Sequence, residues 1–217
     1  TITINKVLAS GDYELKVSYD GITDWVNDET SHAFSSTAYV VINCPKFGTL
    51  KQCIKDAGYD YTTMQNLKVT GEITEEDIRF LNQEMVSLKH LNLKDAKLKH
   101  IRYYDGWEDY GNHDHDLYRD GDLPGGAFKQ NDHLRSIILP SSMKRVGGEA
   151  FSSCRLMYST LEIPEGVTYI GGGAFSYNDH NGMTLKLPNS LDSIEGGVLT
   201  MTPWDCEFNV TDNLKYI

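Results

Sequence analysis

The residues best suited to chemistry crowd into one acidic stretch. Between Ile101 and Asp122 stand seven acids (Asp105, Glu108, Asp109, Asp114, Asp116, Asp120 and Asp122) against Arg102 and Arg119, with His113 and His115 among them. Carboxylate oxygens and imidazole nitrogens are the donors that hold calcium or zinc. A calcium loop begun at Asp116 would place Asp120 at its fifth position and Gly121 at its sixth. It would also place Tyr118 third and Ala127 twelfth, where a bidentate glutamate is required. Zinc held by His113 and His115 lacks a third ligand, since neighbours two apart rarely converge on one ion. The favoured reading is a solvated acidic loop that binds no metal. Trp107, Tyr110 and Tyr118 make it equally rich in aromatics, so with Asp114 and Asp116 it is a candidate binding loop.

Other chemistry finds less support. The glycines at 147–148, 171–173 and 196–197 lead into Ala-Phe or Val-Leu rather than Lys-Ser/Thr, so unusual backbone angles or close stacking explain them better than a phosphate loop. No G-x-S-x-G or H-E-x-x-H occurs. The four cysteines lack metal-ligand spacing; Cys44 and Cys53 are close enough for a disulfide, but packed free thiols are the preferred reading. Asn209-Val210-Thr211 matches a glycosylation acceptor and decides nothing without a secretory context. Neither catalysis nor a cofactor is expected.

The elements that must position these residues follow from a repeat. LPGGAF (123–128), VGGEAF (146–151), IGGGAF (170–175) and IEGGVL (194–199) share one frame, their last residues 23, 24 and 24 apart. Pro140, Pro164 and Pro188 keep a second frame, each closing a short apolar strand. Met143, Val167 and Leu191 recur in step, as do Val146, Ile170 and Ile194. A single unit cannot bury so much apolar surface, so neighbours must stack. The period reaches upstream, because Leu67 and Leu91 are also 24 apart. From Leu93 to Leu139 there is room for two periods, yet the expected middle strand falls near Asp116, where no apolar alternation exists. Residues 99–122 therefore read as an insert loop.

Ahead of the repeats, Thr49 and Gly58 bracket one helical pattern, and Thr74 with Asp77 starts another that runs to about Met85. Residues 1–45 alternate as strands, with Ser10-Gly11-Asp12 as a turn and AYVVIN (38–43) as a third strand. The chain has 217 residues, 40% of them hydrophobic, with a formal net charge of −11. Such a balance disfavours nucleic acid and anionic lipid as partners. No apolar run approaches the roughly 20 residues of a membrane helix.

The unit LRSIILPSSMKRVGGEAFSSC (134–154), with its L-x-x-I-x-L-P…I-G-x-x-A-F pattern, resembles the BspA-type leucine-rich repeats of bacterial surface proteins. VTGEITEEDIRFLNQ…LKHLNLKDAKL resembles the capping segment of such proteins, and the resemblance spans Gly48 to Ile217. The expectation is an α/β solenoid with short parallel strands, in which residues 1–45 form a small N-terminal β element. Capping units fill 46–98, the insert 99–122 and the repeats 123–217. The resemblance implies secretion or surface anchoring and adhesive binding to host or bacterial proteins. The closing residues, TPWDCEFNVTDNLKYI, look like a final repeat that stops early.

By the 24-residue register, two columns face outward across the strands. One is Lys68, Asn92, Ile138, Glu162 and Lys186; the other is Asn66, His90, Ser136, Thr160 and Thr184. They form a candidate protein-binding face. The competing reading is a structural spacer that presents another domain and has no ligand of its own.

Overall fold

The computed structural model describes residues 18–19, 22–23, 39–100, 119–154, 160–178 and 184–200. The chain divides into two units, Thr1–Ala38 and Tyr39–Ile217. In the first, β1 (Ser18–Tyr19) and β2 (Ile22–Thr23) pair antiparallel. The strand expected at 2–4 and the turn at 10–12 lie outside the described residues.

The second unit opens with β3 (Val40–Cys44), and here the structure corrects the sequence reading. From Tyr39 onward, AYVVIN does not belong with the N-terminal segment. Val40 to Cys44 pair in parallel with Leu67 to Gly71 of β4 (Asn66–Ile73), so the division falls after Ala38 rather than after residue 45. The cause is geometric: Ile42 and Cys44 point into the same core as Leu67 and Val69. Gly71 lets the two backbones meet, since a Cβ there would stand 2.1 Å from the Cys44 carbonyl oxygen.

Two helices follow where helices were expected, α1 (Leu50–Asp56) and α2 (Glu75–Gln83). Gly58 ends the first with a φ of +80°. Thr49 is the N-cap of α1, but its hydroxyl turns back to the Lys46 carbonyl. The buried carboxylate of Asp77 substitutes for it. Its Oδ1 accepts from Leu50 N at 3.0 Å, and its Oδ2 from Gly48 N at 2.8 Å and Thr74 N at 3.0 Å. One side chain thus caps the starts of both helices.

The strands form two parallel ladders. In the first, β4 pairs with β5 (His90–Asn92) and β5 with β8 (Ser136–Ile138), while β10 (Thr160–Glu162) pairs with β12 (Thr184–Lys186). β8 packs beside β10. In the second, the end of β4 pairs with β6 (Ala96–Leu98), and β7 (Asp122–Leu123), β9 (Arg145–Val146), β11 (Tyr169–Ile170) and β13 (Ser193–Ile194) run side by side. A third set of bonds joins the turns: Phe128 N to Ala150 O, Phe151 N to Ala174 O and Phe175 N to Val198 O, all 2.7–2.9 Å.

Apolar columns fill the space between. Leu67, Leu91, Ile137, Leu161 and Leu185 are buried in register, as are Met143, Val167 and Leu191. Phe128, Phe151 and Phe175 stack with ring centroids 5.6 and 5.5 Å apart. The glycine runs serve two purposes. Gly126, Gly173 and Gly197 adopt positive φ, whereas a Cβ on Gly147 or Gly171 would come within 2.5 Å of backbone nitrogen in the preceding turn. Glu149 occupies the positive-φ position of its own repeat, at φ 54°.

Phe151 has an aromatic neighbour on each side, so Phe151→Ala should cost about 3–5 kcal/mol in urea unfolding. Glu149→Gly removes a left-handed non-glycine at the cost of an exposed ion pair to Lys129. It should raise stability by about 0.5–1 kcal/mol, and a lower melting temperature would contradict that.

Candidate functional site

The candidate face rests on the first ladder. The pairings His90 with Ser136, Thr160 with Thr184, and Glu162 with Lys186 place the expected residues side by side. Successive strands lie about 4.8 Å apart, so each column is a close row of side chains. Thr160, Glu162 and Lys186 are exposed, and Ser136, Ile138, Thr184 and His90 are half-buried. His90 Nδ1 and Ser136 Oγ are 2.8 Å apart, which ties two neighbouring strands on that face. Lys68 reaches Asp95 Oδ2 at 2.9 Å.

Asn92 departs from expectation. It keeps its register between Lys68 and Ile138 but is fully buried. Its Oδ1 accepts from Lys94 N at 3.0 Å, so the side chain folds back onto its own turn. It offers nothing to a partner. Val41, which sequence reasoning did not include, continues the same column beyond Lys68 and is 58% exposed. Only the pairing of β3 with β4 reveals this.

The insert leaves from elsewhere. β5 pairs directly with β8, so no strand intervenes in the first ladder between Asn92 and Ser136. Both stems sit on the second ladder: Lys99 N donates to Ile73 O, and Gly121 N to Leu98 O. The stems are clasped to each other. Lys99 Nζ meets Asp120 Oδ2 at 2.8 Å, and His100 N donates to Asp120 Oδ1 at 3.1 Å. His100 Nδ1 also pairs with Glu75 Oε1 in the first turn of α2. The bond from Lys99 holds the Asp120 carboxyl below its usual range and raises the Lys99 ammonium in turn. An open cleft of about 250 Å³, lined by Phe47, Glu72, Lys99, His100 and Asp120, lies beside the stems. Trp107, Tyr110, Asp114, Asp116 and Tyr118 lie outside the described residues, as do His113 and His115.

The two described acids of that stretch are already engaged. Asp120 is in the clasp, and Asp122 is buried at the start of β7, where its Oδ2 accepts from Arg119 N at 3.1 Å. Burial pushes the Asp122 carboxyl up, against the pull of that bond and of the nearby Arg145 charge. Further along the ladder, Arg145 lies 3.9 Å over the Tyr169 ring. Burial, with Glu195 adding to it, pushes the Tyr169 phenol up to about 12.

Comparison with known proteins bears on the repeats. Residues 122–217 match the BspA type leucine rich repeat region in six copies. The resemblance read from the sequence holds over that span; the helical segment 46–98 lies upstream of it. A leucine-rich repeat protein from Bacteroides ovatus, known from a 1.19 Å crystal structure, is similar at 19% identity and a TM-score of 0.41. The similarity covers 88% of this chain and 54% of that one, so the chain spans about half of that protein's length. Among curated proteins no relative matches.

Because the folded-state pKa of Asp122 is raised, its contribution to stability is full below the ordinary carboxylate value of about 3.9. It is lost as pH rises through the raised value. Asp122→Asn should therefore gain on the parent chain between pH 3 and pH 7. Paired urea titrations that show a constant difference would refute this.

Proposed function

Since residues 122–217 match the BspA type leucine rich repeat region, we propose that this chain is an exported, non-enzymatic module that binds host extracellular or bacterial surface proteins. Leucine-rich-repeat regions generally mediate protein interactions, which gives the reading its class. The observation that carries it is the first ladder. It sets Thr160, Glu162, Thr184 and Lys186 in adjacent, in-register rows on a backbone fixed by parallel hydrogen bonds. Such a surface is preorganised, so a partner need not pay to order it. On this reading α1 and α2 cap the first turn of a solenoid and hide its apolar end, as terminal units must in a repeat array. The insert, rooted on the second ladder, gives the module a second contact region through Trp107, Tyr110, Asp114, Asp116 and Tyr118.

Capture from host extracellular-matrix extract and from neighbouring bacteria tests the reading. Replacing Glu162 and Lys186 together by Ala should weaken capture of a verified partner. Stability should stay within about 0.5 kcal/mol, the usual range for exposed sites. Capture that survives the double change would reject this face. A chain that captures nothing from either source would instead fit a spacer that presents another domain.

A further inference from the structure

Two thiols meet where the edge strand turns into the first helix. Cys44 closes β3 and is fully buried, whereas Cys53, in the first turns of α1, is partly exposed. One hydroxyl touches both: Thr49 Oγ1 lies 3.4 Å from Cys44 Sγ and 3.7 Å from Cys53 Sγ. Both sulfurs are free thiols in this structure. Their segments are fixed from opposite sides. β3 is held by its ladder to β4, and the start of α1 by the Asp77 carboxylate. Thermal motion therefore cannot easily carry the two thiols apart.

We propose that Cys44 and Cys53 form an oxidative coupling site. Cys53 takes up a low-molecular-weight disulfide such as glutathione disulfide, and Cys44 resolves the adduct into a cross-link between β3 and α1.

Exposure sets the order of events. The Cys53 sulfur, as thiolate, attacks one sulfur of the small disulfide; the S–S bond breaks and one small thiol leaves with the proton that Cys53 gave up. The Cys44 sulfur then attacks Cys53 Sγ, and the second small thiol leaves with the Cys44 proton. Two protein thiols are oxidised and one small disulfide is reduced to two thiols. Cys44 is unsuited to the first step. It has no solvent access, and burial, together with the nearby Cys53 and Asp77, raises its thiol against the opposing bond from Thr49. Attack from within on an adduct already seated beside it avoids the first of these obstacles.

The test incubates the 217-residue chain with glutathione disulfide, quenches with acid, and maps peptides by mass spectrometry. The expected product is a 44–53 linkage with loss of two hydrogens and no retained glutathione. Its melting temperature should exceed that of the dithiothreitol-reduced chain. Cys44→Ala should trap glutathione on Cys53, and Cys53→Ser should leave Cys44 unmodified while folded, as judged by circular dichroism. The proposal is overturned if glutathione persists on Cys53 of the parent chain, if Cys44 reacts in Cys53→Ser, or if oxidation joins another pair or none.

Discussion

The described glycine turns of this protein bond their backbone to the turn one repeat onward. The N–H of Phe151 finds its acceptor on Ala174, one repeat onward, and the N–H of Phe175 finds its own on Val198. Buried amides left unpaired would cost about 1–3 kcal/mol each, so every repeat must match the length and path of the next. That requirement explains the near-constant spacing of 23 or 24 residues better than any single contact. It also explains Gly147 and Gly171, where a side chain would push apart turns that must stay within bonding distance. The apolar columns and the phenylalanine stack then follow, because identical paths bring identical positions together.

Upstream of the repeats the same need is met by different means. At the first turns of the two helices, Asp77 supplies acceptors for Gly48, Leu50 and Thr74 from one buried carboxylate. Charge-assisted bonds of this kind are stronger than neutral ones. The transition from helical units to glycine-turn repeats is thus a change in what satisfies the backbone. The strand ladder continues through it without interruption, from β3 to β4, β5 and β8.

Much of this was legible because a repeat states its register several times over. Leu67 and Leu91 could be aligned from spacing alone, and they pair as aligned; Leu91 and Ile137, 46 residues apart, pair directly where the period left room for a strand between them. What stayed hidden depends on contacts that spacing does not encode. AYVVIN alternates like any edge strand, and nothing in it names β4 as its partner. Asn92 shares a register with exposed residues yet turns inward, since a short amide is satisfied by the backbone two residues on. Local rules place the cap of α1 at Thr49, but it comes from a residue 28 positions later. The left-handed conformation of Glu149 could have been inferred, because its counterparts in the other repeats are glycines.

The junction between β5 and β8 carries a consequence for how such a chain can change. Ser136 is bonded to His90 as if the residues between them had been cut out and the ends rejoined. Lys99 and Asp120 fasten the base of the excursion, so the stack registers where the chain departs and where it returns. A segment seated this way can be lengthened, rewritten or exchanged while the frame beneath it stays the same. Novelty has a natural place to accumulate in such an excursion, between two residues that already hold each other.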